Sequence, residues 1–208
     1  MRRVATVTLL GWIATTNVAH ADVRVGVDAV FPYGQRAAAA GGTITSKTLG
    51  VGGETVLEAG VATGAGRFAF GLGYHHVDNG TLDTSSPEGD VRNFAVSPRM
   101  AFARARFDVG SWFLAARWLA GTAKARVVQD AVGFDYALSN GRGWGVGAGL
   151  AVPLGGRWFL RVPIGYDALV FEKGELTRVK VDSPPHTGPW TWRGAHVGLG
   201  LEAAFWGK

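Results

Sequence analysis

Large apolar side chains alternate with a more polar set along residues 158–171. Trp158, Leu160, Val162 and Ile164 belong to the first set, whereas Arg161 and Asp167 belong to the second. A period of two is the pattern of a β-strand, because successive side chains point to opposite faces. The pattern recurs along the chain and predicts eight strands, at residues 22–33, 54–63, 67–77, 91–106, 111–124, 143–152, 158–171 and 192–206.

Short and long connections alternate between these strands. Glycine-containing tight turns are expected at residues 63–66, 107–110 and 153–156, because glycine adopts the positive φ that hairpins need. Long connections are expected at residues 34–53, 78–90, 125–141 and 172–189. This order places all tight turns at one end of an antiparallel sheet and all long loops at the other. The predicted fold class is all-β, an eight-stranded antiparallel up-and-down β-barrel.

One face of the predicted strands is apolar, and we expect it to face lipid. On the strand at 91–106 this face is assigned to Phe94, Val96, Met100 and Phe102. The aromatic residues on the apolar face form two rows near the strand ends: Phe31, Phe68, Tyr74, Phe94, Phe102, Trp112, Trp118, Trp144, Trp158, Tyr166 and Phe205. Two aromatic belts are typical of the two water interfaces of a bilayer, so the barrel is predicted to be transmembrane.

The opposite face carries charges of both signs and is expected to point into the lumen. The predicted lumen network contains Arg24, Asp28, Glu54, Glu58, Arg99, Arg117, Arg161, Asp167 and Glu202. Ions taken out of water need partners, and eight strands leave an interior that side chains can fill, so we expect a polar plug. A gated pore or proton path is the alternative. Inward glycines such as Gly145 and Gly200 are interpreted as space for long side chains, or alternatively as a cavity for a slim ligand.

The N-terminal residues predict export. A basic start at Arg2 and Arg3, a short apolar stretch and the segment Ala19-His20-Ala21 fit a cleaved signal peptide at 1–21, followed by a barrel domain at 22–208. Cleavage would lower the formal net charge from +5 to +3. No lysine or arginine run forms a stripe, so nucleic acid is not an expected partner. The sequence contains no cysteine, which excludes disulfides.

These features together resemble the OmpA/OmpX-type small outer-membrane barrels of Gram-negative bacteria. The likeness is architectural and covers the whole predicted mature chain, and the last strand at 195–205 is similar to the assembly signal for the barrel insertion machinery. The resemblance implies an outer-membrane location, a monomer, and outer-membrane lipid and lipopolysaccharide as partners. It favours a structural or surface-interaction role.

Two other classes of function stay open, a lipid A-modifying enzyme and a narrow channel or small-ligand carrier. His75, His76, Asp78 and Ser97 are the residues considered for lipid chemistry, but they do not form a recognisable nucleophile, base and carboxylate set. Adjacent histidines on a strand point to opposite faces and are poorly placed to share a metal. No catalytic residue, metal site or cofactor is predicted.

Overall fold

The barrel wall is a single antiparallel sheet that closes on itself. A computed structural model describes residues 20–39, 42–46, 50–79, 91–129, 132–177 and 189–205. The strands are β1 (His20–Ala39), β2 (Gly42–Ser46), β3 (Gly50–Thr63), β4 (Gly66–Asn79), β5 (Val91–Val109), β6 (Trp112–Gln129), β7 (Val132–Gly155), β8 (Trp158–Leu176) and β9 (Trp190–Phe205). Pairing of β1 with β9 closes the ring, and β2 extends the sheet beside the end of β1. The predicted eight-stranded antiparallel up-and-down barrel is confirmed, with β1 and β3 to β9 as its wall.

Three tight turns lie at one end of the barrel. They join β3 to β4, β5 to β6 and β7 to β8. Gly110 and Gly156 have φ values of 59° in two of these turns, a conformation that costs glycine little. The start of β1 lies at the same end, since His20 pairs with Ala62 beside the first turn. This end is called the tight-turn end, and the opposite one the long-loop end.

The strands extend further toward the long-loop end than the sequence pattern predicts. Most of residues 125–141, expected to form a loop, are paired strand in which Val127 lies opposite Phe134. The strand β2 lies within the connection expected at 34–53. The predicted signal peptide before His20 and the residues after Phe205 lie outside the described residues.

The polarity of the wall is inverted between the two ends of the barrel. Leu72 and Leu114 are typical of the exposed outer positions in the tight-turn half, which are apolar. In the long-loop half the exposed outer positions include Arg36, Arg99, Lys124, Arg126, Arg142, Glu172, Lys173, Glu175 and Arg193. The interior changes in the opposite sense. An apolar cluster, here called the upper core, lies beyond the charged layers except for Val56, which lies between Glu54 and Glu58. Its members are Ala37, Val56, Val96, Met100, Phe102, Leu119, Ala123, Ala125, Val127, Tyr136, Leu138, Leu169, Phe171, Trp190 and Trp192.

Two bulges change the side-chain alternation near this level. In β1 the register with β9 shifts between Tyr33 and Arg36, and Gly34 there has φ 61°. In β7 the register with β6 also shifts, and Asn140 at that point has φ 52°. An additional residue reverses the inward parity between its two sides, so Ala37, after the bulge in β1, and Leu138, before the bulge in β7, both point into the upper core.

The face assignment on β5 is wrong and is corrected by the burial of its side chains. Met100 and Phe102 are buried in the upper core, whereas Arg99 is exposed on the outer surface. Arg104 and Arg106 have the same parity as Phe102 and are also buried inside. Hydrophobicity does not distinguish the two faces of β5 here, because the interior at this level is apolar as well.

Nine of the predicted belt aromatics are exposed on the outer surface: Phe31, Phe68, Tyr74, Trp112, Trp118, Trp144, Trp158, Tyr166 and Phe205. Trp144 and Tyr166 are neighbours across β7 and β8, with ring centroids 6.3 Å apart. Phe102 is not a belt residue, and the side chain of Phe94 lies outside the described part of the chain. None of the described residues belongs to a helix long and apolar enough to span a membrane. The fold is an all-β transmembrane-type barrel, and its lipid-facing band occupies the tight-turn half.

Arginine scanning of the outer face tests where this band ends. Leu72→Arg should destabilise the barrel in lipid vesicles by about 2–4 kcal/mol, because it places a cation in the hydrocarbon region. Val51→Arg should have little effect, since Val51 lies opposite Asp78 at the long-loop end of β3. The two positions are matched, because the residues are 69% and 62% exposed. Urea titration followed by tryptophan fluorescence measures the free energy of unfolding of both variants. Equal losses of stability would contradict the inverted polarity of the wall.

Candidate functional site

The lumen of the tight-turn half is filled by a continuous ion-pair network. Its positive groups are six guanidinium groups and its negative groups are seven carboxyl groups, namely Arg24, Arg67, Arg104, Arg106, Arg117, Arg161, Asp22, Asp28, Glu54, Glu58, Asp108, Asp167 and Glu202. These groups come from seven of the eight wall strands. Barrel closure therefore assembles the network from residues far apart in sequence.

The layer nearest the tight-turn end joins β1, β4 and β5. Asp22 accepts from Arg24 Nε at 2.8 Å and from Arg67 Nε at 2.7 Å, one carboxylate oxygen to each. Arg67 Nη1 also donates to Asp108 Oδ2 at 3.1 Å. Asp22 is therefore an acceptor shared by two arginines at the rim of the lumen.

Arg106 occupies the centre of the next layer. Its Nη1 donates to Glu202 Oε2 at 2.5 Å and to Glu58 Oε2 at 3.1 Å, and its Nε donates to Asp108 Oδ1 at 2.5 Å. The other oxygen of Glu58 accepts from Arg104 Nε at 2.7 Å. Glu202 is fully buried and accepts from Arg24 as well, at 2.9 Å. Each carboxylate is thus held by two arginines, a geometry that offsets the cost of burying it.

A third layer surrounds Arg117, nearer the upper core. Arg117 donates to both oxygens of Asp167, at 2.9 and 2.6 Å, and to Glu54. His75 Nδ1 lies 3.4 Å from Glu54 Oε2, and His196 Nδ1 lies 3.4 Å from Asp167 Oδ2. The two imidazoles contact each other, with centroids 5.8 Å apart. Between this layer and the central one, Arg161 Nη2 lies 3.2 Å from Asp28 Oδ2.

Inward aromatic rings support the arginines. Phe113 packs beneath Arg106 and Arg161, whose Cζ atoms lie 4.5 and 5.6 Å from the ring centroid. Phe102 takes the same position beneath Arg117, at 5.5 Å. A cation over a ring face is attracted by the ring quadrupole, especially away from water. The rings therefore hold the guanidinium planes while the carboxylates bind their edges.

Inward glycines leave the space that these side chains occupy. A Cβ at Gly71 would lie 2.6 Å from Glu58 Cγ, and one at Gly165 would lie 2.5 Å from the His196 ring. A Cβ at Gly145 would overlap the Asp167 carboxylate. At these positions the glycines serve as clearance for the network, which is the interpretation that the sequence pattern favoured.

Eight of the nine side chains predicted for the lumen network lie in it. The structure brings together Arg24, Asp28, Glu54, Glu58, Arg117, Arg161, Asp167 and Glu202. Arg99 does not join them, because it is exposed on the outer face of β5. The residues missed are Asp22, Arg67, His75, Arg104, Arg106 and Asp108. The period-two run Arg104, Arg106, Asp108 was the available signal, because three charges on one parity mark an inward face.

The residues considered for lipid chemistry lie on opposite sides of the wall. His75 is buried in the lumen, whereas His76 stacks on the outward ring of Tyr74 at 6.1 Å. Ser97 has the parity of Arg99 on β5, away from His75. In the ranges that the structure describes, no group of three or more His, Asp and Glu side chains has the arrangement of a metal site.

Several solved outer-membrane barrels resemble the chain. Neisserial surface protein A is 18% identical, with 88% of this chain and 97% of that chain covered and a TM-score of 0.42. Ail, the attachment invasion locus protein of Yersinia pestis, is 12% identical, covers 90% and 99%, and has a TM-score of 0.47. A major outer membrane protein from Thermus thermophilus is 15% identical, covers 89% and 99%, and has a TM-score of 0.47.

No family model and no curated protein sequence matches the chain. At such low identities and TM-scores, the likenesses carry no argument about what this chain does.

Removing one charge from the network should cost far more than removing one from the surface. Glu202→Gln leaves Arg106 and Arg24 without their shared carboxylate, so we expect a loss of about 3–5 kcal/mol. Glu172→Gln makes the same change in an exposed pair with Arg142, where about 1 kcal/mol or less is expected. Urea midpoints in vesicles compare the two, and similar values would show that the network does not stabilise the barrel.

Proposed function

We propose that this chain is an integral outer-membrane barrel whose role is structural and surface-interactive, and whose interior is closed. The observation that carries the proposal is the two-part filling of the lumen. A crossing layer of paired charges lies in the tight-turn half, and the upper core lies above it. A continuous water path would have to pass both.

The packing within the lumen argues against a ligand carrier. The space beside Arg117, Arg161 and Phe113 amounts to about 30 Å³. Such a space holds about two water molecules, whereas sites for organic ligands have volumes of about 300 Å³ or more. Met100, Leu119 and Phe171 are fully buried above this space, so large apolar side chains fill the interior at that level.

The outer surface supports a membrane location. A ring of exposed apolar residues surrounds the tight-turn half, and such a ring is typical of barrels that contact lipid. The proposed signal peptide at 1–21, the barrel domain at 22–208 and the final strand lead us to place the mature protein in the outer membrane of a Gram-negative bacterium. We infer that it is inserted there as a monomer by the barrel insertion machinery.

The long-loop half is the proposed interaction surface. Charges of both signs cover its outside, including Arg36, Arg126, Arg193 and Glu175. Arginine binds phosphate through several donors at once, so lipopolysaccharide is the proposed partner at this surface. A lipid-modifying enzyme has no specific observation in its favour, because His75 and Ser97 lie on opposite faces of the wall.

Planar-bilayer recording tests whether the interior is closed. We expect no discrete conductance steps from the refolded protein, and none from Arg117→Ala, because the upper core would still block the lumen of that variant. Heat-modifiable migration in detergent gels confirms that each sample is folded. Regular steps from the unmodified protein would contradict the proposal and favour the narrow-channel alternative.

A further inference from the structure

A shallow apolar groove crosses the outer face of β3 to β6. Its volume is about 650 Å³. The floor is made of small side chains, Ala103 and Ala105 on β5 and Ala116 on β6, while larger apolar side chains form its two walls. Leu72 lies opposite Ala103 on one side, and Trp118 lies opposite it on the other. The groove therefore follows β5 between two rows of larger residues.

A basic cluster, formed by Arg99, Lys124 and His76, lies at the long-loop end of this groove. Arg99 has the same parity as Ala101 and Ala103, so it lies on the outer face directly in line with the floor. His76 is its cross-strand neighbour on β4, and Thr122 is its neighbour on β6. Lys124 lies one outward position beyond Thr122. Arg99 to Ala103 spans roughly 13 Å along the strand at about 3.3 Å per residue.

Arg99 and Lys124 form no ion pair in the described ranges, although Asp78 lies one outward position beyond His76 on β4. Arg142, in contrast, is paired with Glu172 at 2.7 Å. The cluster also lies just beyond Tyr74 and Trp118, two aromatics at the lipid-water interface. Aromatic belts lie at the level of the lipid headgroups, so a lipid phosphate at this depth would have its acyl chains extending toward the middle of the bilayer.

We propose that the groove and the basic cluster form one binding site for a phosphorylated acyl lipid of the leaflet at the long-loop end. One acyl chain lies on Ala103 and Ala105, between Leu72 and Trp118, and the phosphate accepts hydrogen bonds from Arg99. This inference rests on the proposed membrane location and names the surface through which the lipid is held. It gives a role to Arg99, which the lumen does not use.

A second copy of the chain fits this surface less well. Two copies inserted in the same direction would meet about an axis along the membrane normal, and such an interface places identical patches together. The two basic clusters would then face each other at the same depth. Like charges in close contact are destabilising, whereas an anionic lipid neutralises each cluster.

Native mass spectrometry in a nonionic detergent can test the site with diphosphoryl lipid A and with the same lipid after dephosphorylation. The unmodified barrel should retain one lipid A, about tenfold more tightly than the dephosphorylated form, because a charge-assisted bond is lost. Arg99→Gln should remove this difference. Ala103→Trp fills the groove and should weaken both lipids about tenfold, which corresponds to about 1.4 kcal/mol. Ala103→Leu provides the same test if the tryptophan variant does not refold.

Matched controls lie elsewhere on the outer surface. Arg157→Gln removes an exposed arginine in the turn between β7 and β8, at the tight-turn end, and Ala29→Trp enlarges an outward alanine on β1, three strands away from β5. Both should bind lipid A like the unmodified protein. The proposal is overturned if Arg157→Gln acts like Arg99→Gln, if Ala103→Trp has no effect, or if a dimer appears that Ala103→Trp disrupts. Silent bilayer recordings alongside any of these results would leave the proposed closed barrel intact.

Discussion

A buried guanidinium must have a carboxylate partner, and the architecture of this barrel depends on that constraint. An arginine inside a narrow barrel has lost most of its water, and the lipid outside offers no acceptor. Arg106 resolves the conflict by binding Glu58, Asp108 and Glu202, residues from three different strands. The network consequently helps to fix the register of the strands, because a shift of one residue would turn its charges toward the lipid.

The inverted polarity follows from where the wall leaves the bilayer. In the lipid-facing half the exterior must be apolar, so the interior can hold the charges. In the long-loop half the exterior meets water and carries Arg126 and Glu175, and the interior becomes an ordinary hydrophobic core. The bulges at Gly34 and Asn140 lie near this change and set the parity of the residues that follow. One half of the sheet thus faces lipid and the other half faces water. In each half the interior has the polarity opposite to that of the outer surface.

Strand number, antiparallel order and the position of the tight turns could be predicted from the sequence, because alternation and turn glycines are local signals. The faces of β5 could not be predicted from hydrophobicity alone. Met100 and Phe102 are as apolar as a lipid-facing residue, but they belong to the upper core, and their alternate partners are small alanines. Most of the network could be named from parity. The partner of each charge could not, because pairing depends on the register and shear of the closed barrel.

The same β5 alternation links the interior to the proposed lipid site. Its large and charged residues, Phe102, Arg104 and Arg106, all point inward, so the outward positions between them are left to alanines. The outward side chains of β5 are therefore small. The larger side chains of Leu72 on β4 and Trp118 on β6 project further from the wall on either side. The groove is therefore a geometric consequence of how the lumen is filled. Arg99 lies beyond the groove because the outer face of β5 becomes polar at that level. A cation is therefore present at the end of the groove without any local distortion of the wall.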